Sequence, residues 1–162
     1  MNRFIAPILL ALMLPACGLQ PLYSGGSKGA VATTLGSLSV ATIEGKSGWL
    51  MRNALTDRLG AQDSNVAQFR LVVTLDDRIE GFGVRADDTV TRERRTLRAR
   101  YQLISVATGK TVLDATAGSD AGIDVAGSEY ATIAGENSAL ENLTQKVADQ
   151  IVTRLSIYAR GE

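Results

Sequence analysis

From Phe69 to Ile123 the chain alternates apolar and polar residues with a period of two, interrupted by short runs of turn residues. Successive side chains of a strand point to opposite faces, so this pattern commits the middle of the chain to strands with one dry face and one wet face. Phe69, Leu71, Val73, Leu75 and Ile79 share one face of the first strand, and Arg70, Thr74, Asp76, Arg78 and Glu80 the other. Gly81, Gly83, Asp87 and Asp88 mark a turn region. The next strand sets Leu97, Ala99, Tyr101 and Leu103 against Arg92, Arg94, Thr96, Arg98, Arg100 and Gln102. Beyond a turn at Thr108, Gly109 and Lys110, the residues Leu113, Ala115, Ala117, Ala121 and Ile123 alternate with Asp114, Thr116, Asp120 and Asp124. Three strands in succession predict a meander.

The flanks supply the rest of the core. Leu38, Val40 and Thr42 alternate with Ser39, Ala41 and Ile43, a weaker strand signal. A helix follows, with Ser47 as N-cap, an apolar stripe of Leu50, Ala54, Leu55 and Leu59, and a stop at Gly60. Arg52, Asn53, Asp57 and Arg58 cover its wet side. From Ser128, a second cap candidate, the period becomes helical again: Ile133, Leu140, Leu143, Val147, Ile151, Leu155 and Tyr158 form one face, with Gly135 and Asn137 predicting a loose or bent first segment. The order β-α-β-β-β-α with one dry sheet face asks both helices to cover that face. The fold class is α+β, a two-layer sandwich with two helices on one face of a four-stranded, mixed, mostly antiparallel sheet.

The N-terminal segment is of another kind. Arg3 is followed by an apolar run from Phe4 to Leu14, then by Pro15, Ala16 and Cys17, the single cysteine of the chain. The run is far shorter than the roughly 20 apolar residues a transmembrane helix needs, and it is interrupted by Pro7 and stopped by Pro15. It reads as a removable signal occupying 1–16. It resembles a bacterial lipoprotein signal, and the resemblance implies that Cys17 becomes the mature N-terminus and carries covalent acyl chains. Two such chains are enough for stable anchoring, at about 0.8 kcal/mol per buried methylene. The alternative is an ordinary secretory signal with Cys17 as an incidental buried thiol. Residues 17–36, rich in Gly, Ser and Thr, read as a lipidated flexible tether, and 37–162 as a single domain of ordinary size.

Charge and chemistry exclude several classes. With 17 basic and 17 acidic residues there is no global field to draw nucleic acid. The chain has no histidine, so a Ser-His-Asp triad, a Cys-His pair and a familiar zinc site are all out of reach. The acidic doublets Asp76-Asp77 and Asp87-Asp88 read as solvated turn-flanking pairs. Trp49 and Tyr130 are isolated aromatics expected in the core or at its rim. The reading is of a protein that is not an enzyme and needs no cofactor beyond the acyl chains. The one concentrated surface feature is the stripe Arg92, Arg94, Arg98 and Arg100, which strand geometry sets on one side. Guanidiniums so spaced suit several phosphates or carboxylates. Asp76, Glu80, Asp114 and Asp120 share the outward face, however, nearly as numerous as the arginines, and favour cross-strand compensation as the reason for the stripe, at about 0.2–1 kcal/mol per pair.

The segment Cys17-Gly18-Leu19-Gln20-Pro21-Leu22-Tyr23 resembles the start of mature LPS-assembly lipoproteins, the LptE family. The amphipathic Arg52 to Leu59 segment, the element order and the length are similar to that family too. The resemblance implies a subunit of the outer-membrane lipopolysaccharide translocon, lipid-anchored at the periplasmic face. It would sit one-to-one inside a large LptD-like β-barrel as plug and assembly aid, with direct binding of lipopolysaccharide a further role that the resemblance admits. No motif carries the family's lipopolysaccharide contacts onto particular positions here, so Arg92, Arg94, Arg98 and Arg100 are candidates from strand geometry alone. The alternative is a freestanding envelope lipoprotein that binds a lipid or another anionic ligand, for which a deep apolar pocket between helices and sheet would speak.

Overall fold

The structure is a computed structural model and describes residues 35–60, 67–84, 90–125 and 127–161. Cys17, the signal and most of the tether lie outside the described residues, as does the doublet Asp87-Asp88. Six elements follow one another: β1 (Leu38–Val40), α1 (Gly45–Leu59), β2 (Phe69–Val84), β3 (Val90–Ser105), β4 (Thr111–Asp124) and α2 (Glu129–Ala159). They form the expected α+β arrangement. The sheet order is β1-β2-β3-β4, with β1 parallel to β2 and the other two pairings antiparallel.

The dry face is the one the alternation defined. Leu71, Val73, Leu97, Ala99, Tyr101, Leu103 and Ala117 are buried against Met51, Leu55 and Leu59 of α1 and Leu143, Val147, Ile151 and Leu155 of α2. Each fully buried aliphatic side chain contributes about 1.5–3 kcal/mol. Met51, 0 % exposed, sits on the α1 face that the sequence stripe drew through Leu50, which is only half-buried. The two helices run in the same direction. Near the start of α1, Lys46 Nζ donates to Asn137 Oδ1 at 2.6 Å, and near its end Arg58 donates to Asp149 Oδ1 and Gln145 Oε1, each at 2.6 Å.

Several local expectations are corrected. β1 spans Leu38–Val40 rather than reaching Ile43, because its pairing with β2 ends at Val40 and Leu71. Leu35 is already packed in the core at 3 % exposure. The N-cap of α1 is Glu44, without a side-chain cap bond, and not Ser47, which lies inside the first turns. Gly60 stops the helix in the left-handed region at φ 59°, its N–H donating to the Thr56 carbonyl. Ser128 does occupy the N-cap of α2, but its side chain makes no cap bond. Gly135 and Asn137 do not loosen α2, which is continuous over 31 residues. Gly135 instead packs on Ile123, where a Cβ would meet Cγ2 at 3.3 Å. β2 runs on through the turn residues Gly81 and Gly83 to Val84. Trp49 and Tyr130, at 64 % and 87 % exposure, belong to the surface and not to the core.

Candidate functional site

The wet face of β2, β3 and β4 is covered by neither helix, and the arginine stripe runs along its middle strand. Register explains what each guanidinium meets. Arg92 lies opposite Asp124, Arg98 opposite Gly118 and Arg100 opposite Thr116, so the β4 aspartates stand directly opposite or one same-face step away. Arg92 Nε donates to Asp124 Oδ1 at 3.0 Å. Arg98 Nη2 donates to both oxygens of Asp120 at 3.2 Å. Arg100 donates through Nε and Nη2 to the two oxygens of Asp114 at 3.1 and 2.8 Å. Gly118 lets Arg98 lie flat across β4, since a Cβ there would fall 2.4 Å from Arg98 Cδ.

Arg94 differs from its neighbours. Its guanidinium lies 5.3 Å from the centre of the Phe82 ring, a cation–π geometry, and among the described residues it forms no ion pair. Glu80 is its register partner on β2, yet no bond joins them. Asp76, opposite Arg98, pairs instead with Arg78 along its own strand at 2.8 Å. The compensation therefore comes from β4 and not from β2.

The electrostatics follow from these bonds. The hydrogen bonds from Arg100 and then Gln102 hold the Asp114 carboxyl down at about 2, while the same pairing raises Arg100. Asp120 is lowered as well, first by the Thr96 hydroxyl at 2.7 Å and then by Arg98. Charges of both signs thus lie within hydrogen-bond distance of one another along this face, and their side chains stay exposed to water. Among the described residues no three His, Cys, Asp or Glu side chains gather in a group that could hold a metal ion, and no helix is long and apolar enough to cross a membrane. The hollows on this face are open ones, of about 380 Å³ beside Thr74, Asp76, Arg98 and Arg100 and about 260 Å³ at Phe82, Arg92 and Asp124.

One ionic cluster escaped the sequence reading. Arg95 points to the covered face, where Nε and Nη2 donate to the two oxygens of Asp77 at 2.8 and 2.7 Å and Nη1 donates to the Glu136 carbonyl of α2 at 2.9 Å. The side chains are only 11 % and 18 % exposed. Asp77 is accordingly a partly buried strand residue and not a solvated turn-flanking one. The signal was present in the sequence: Asp77 and Arg95 are opposite charges at positions where the period of two demands apolar residues.

Residues 35–155 match the model of the family described as LptE, lipopolysaccharide-assembly. The chain belongs to the LptE family. No curated protein sequence matches it. Solved structures share the LptE-like fold of this chain. A Caulobacter crescentus protein described as a lipoprotein is 24 % identical with a TM-score of 0.69, covering 82 % of this chain and 97 % of its own. The minor lipoprotein of Acinetobacter baumannii is 16 % identical with a TM-score of 0.61, covering 75 % and 90 %. Rare lipoprotein B of Shewanella oneidensis is 11 % identical with a TM-score of 0.60, covering 76 % and 96 %. At these identities the likenesses bear on the fold, and the family match supports a role in lipopolysaccharide assembly for this LptE-family chain.

Proposed function

We propose that this chain is a non-enzymatic lipoprotein subunit of the outer-membrane lipopolysaccharide transport complex. Acyl chains on Cys17 hold it at the periplasmic face of the outer membrane, and its domain seats one-to-one in the lumen of an LptD-like β-barrel as plug and assembly aid. The observation that carries the reading is the LptE match over 35–155. The wet sheet face supports it. Arg92, Arg98 and Arg100 are each paired with an aspartate of β4, so that part of the face can be set against a polar, water-lined lumen without stranding those charges, and Arg94 alone of the stripe is left to meet an anionic group there.

Purification of the C-terminally tagged lipoprotein from detergent-solubilised native envelopes tests this. A large β-barrel recovered at a ratio of about one to one is the expected result, and recovery of the acylated lipoprotein alone, at normal abundance, would refute it and favour a freestanding binder. Lipopolysaccharide binding belongs to the same proposal, with Arg94 the guanidinium least committed to a carboxylate. Arg94→Glu combined with Arg98→Glu is expected to weaken binding to purified lipopolysaccharide at an unchanged circular dichroism spectrum. Undiminished binding by a folded double variant would take the stripe out of that role.

A further inference from the structure

The two edges of the sheet are not alike. On β4, Gly118 turns its backbone away from β3, and the Gln150 side chain of α2 accepts from its N–H at 3.1 Å and donates to its carbonyl at 3.3 Å, as a neighbouring strand would. On β2 the parallel partner stops early: the Ala41 N–H donates to the Leu71 carbonyl at 2.9 Å, and no strand follows beyond it. In the antiparallel ladder with β3, outward and inward backbone groups alternate. The N–H and C=O of Val73, Leu75, Asp77 and Ile79 therefore lie on the same side as those of Leu71, past the end of β1. Among the described residues no hydrogen bond reaches them. A hollow of about 360 Å³ between Thr42, Glu44, Ser47 and Val73 to Leu75 leaves room beside the start of this stretch.

The side chains of the stretch say what could lie beside it. Val73 to Ile79 has neither proline nor lysine, two residues that commonly blunt an exposed edge, and its one charge on the covered face, Asp77, is bonded by Arg95 of the same sheet. Ile79 is 40 % exposed on that face, two positions beyond Asp77. On the wet face Asp76 is bonded by Arg78, while the exposed Glu80 forms no ion pair among the described residues. A strand laid along this edge would put apolar side chains over Leu75 and Ile79 and, on the other face, a lysine or arginine against Glu80. Burial then decides between a strand and water. A domain seated as a plug has its surface closed off from bulk water, and a buried backbone group without a partner is rare and costly. An extended segment of the surrounding protein supplies partners to all four outward residues at once.

We propose that Val73 to Ile79 of β2 takes an added strand from the lumen side of the barrel protein, an extended segment in which apolar side chains alternate with a basic one, stopping where Ala41 already occupies the edge. The contact rests on the translocon reading and deepens it, since it names the backbone through which the two proteins join.

Residue-resolved hydrogen exchange of the parent lipoprotein, alone in detergent and in the complex purified from native envelopes, reads the pairing directly. The amides of Val73, Leu75, Asp77 and Ile79 are expected to exchange freely in the chain alone and to be protected in the complex, while those of Thr74, Asp76 and Arg78, turned toward β3, are protected in both. The outward amides of Thr116 and Asp120 on β4 control for general burial. Edge amides of β2 that exchange alike in the two states, or β4 amides protected as strongly as they are, would overturn the strand addition and leave the translocon reading in place. A parent chain that brings down no barrel would remove both. Ile79→Pro gives a second readout: it deletes an N–H that bonds nothing within the chain, so the fold is expected to survive, with about a tenfold loss of recovered barrel. Ile79→Thr, which keeps the N–H, is expected to recover the barrel as the parent does. Full recovery by a folded Ile79→Pro chain would overturn the proposal, and so would a second, differently tagged copy of this chain recovered on the edge in place of the barrel.

Discussion

The Arg95–Asp77 pair and the Arg92–Asp124 pair have similar bond lengths and opposite surroundings, which makes them a controlled comparison. Replacing Arg95 by Met removes two bonds to Asp77 and one to the Glu136 carbonyl, leaving a carboxylate facing the helix layer. Breaking a fully buried pair from one side costs about 3–5 kcal/mol. Here 11 % and 18 % exposure admits some water to the orphaned group, so roughly 2–3 kcal/mol is expected. For a domain of this size that lowers the melting temperature by roughly 6–15 °C. Arg92→Met breaks a pair whose side chains are 63 % and 84 % exposed, and solvent screening should keep its effect within about 0.5 kcal/mol. Replacing both members of the covered pair, Arg95→Met with Asp77→Leu, removes the stranded charge and should return stability to within about 1 kcal/mol of the parent. Urea and thermal denaturation of the four proteins give the comparison. An Arg95→Met cost below about 0.5 kcal/mol, or a double variant no more stable than Arg95→Met alone, would refute the reasoning that Arg95 is held by Asp77 and bonds α2 through the Glu136 carbonyl.

Three further outcomes follow from the same geometry. Asp114 should titrate at about 2 by carboxyl-detected NMR; because its folded value is depressed, its stabilising contribution is present above the ordinary carboxylate range and lost as pH falls toward that value. Arg100→Gln should move its midpoint upward, and an unmoved midpoint would disprove Arg100 as the cause. Gly48→Ala should destabilise despite a helix-propensity gain of about 1 kcal/mol, because the new Cβ would stand 2.6 Å from the Ile43 backbone oxygen; a neutral variant in thermal melts would contradict the packing of α1. Leu143→Ala, at a fully buried position between α2 and the sheet, should cost about 2–5 kcal/mol in urea unfolding.

The sheet was legible because one of its faces is charged almost throughout: a one-residue slip would have buried Arg98 and exposed Leu97, so the pattern admits a single register. The ends of elements were not. β1 terminates where its partner strand is left unpaired, a tertiary event that Ala41 to Ile43 do not announce. Ser47 looked like a cap because capping is local, but α1 enters one turn earlier through Gly45, at φ 79°. The arginine stripe was legible as a line of charge, and the aspartates of β4 as its partners. Which arginine stays uncommitted was not, since Arg94 is set apart by Phe82 on a strand that crosses its own predicted turn.

The common direction of α1 and α2 has a mechanical side. The meander is bound by contacts between strands adjacent in the chain, whereas α1 reaches α2 across separations of 87 and 91 residues, and β1 meets β2 only after a whole helix has intervened. Long loops close last, so the segment synthesised first docks onto a surface that must already exist. That late-docking segment is also the one that leads to Cys17. A pull transmitted from the acyl anchor proposed for Cys17 would therefore load the three-residue strand and the shorter helix first, and the arginine face on β3, two strands further in, last.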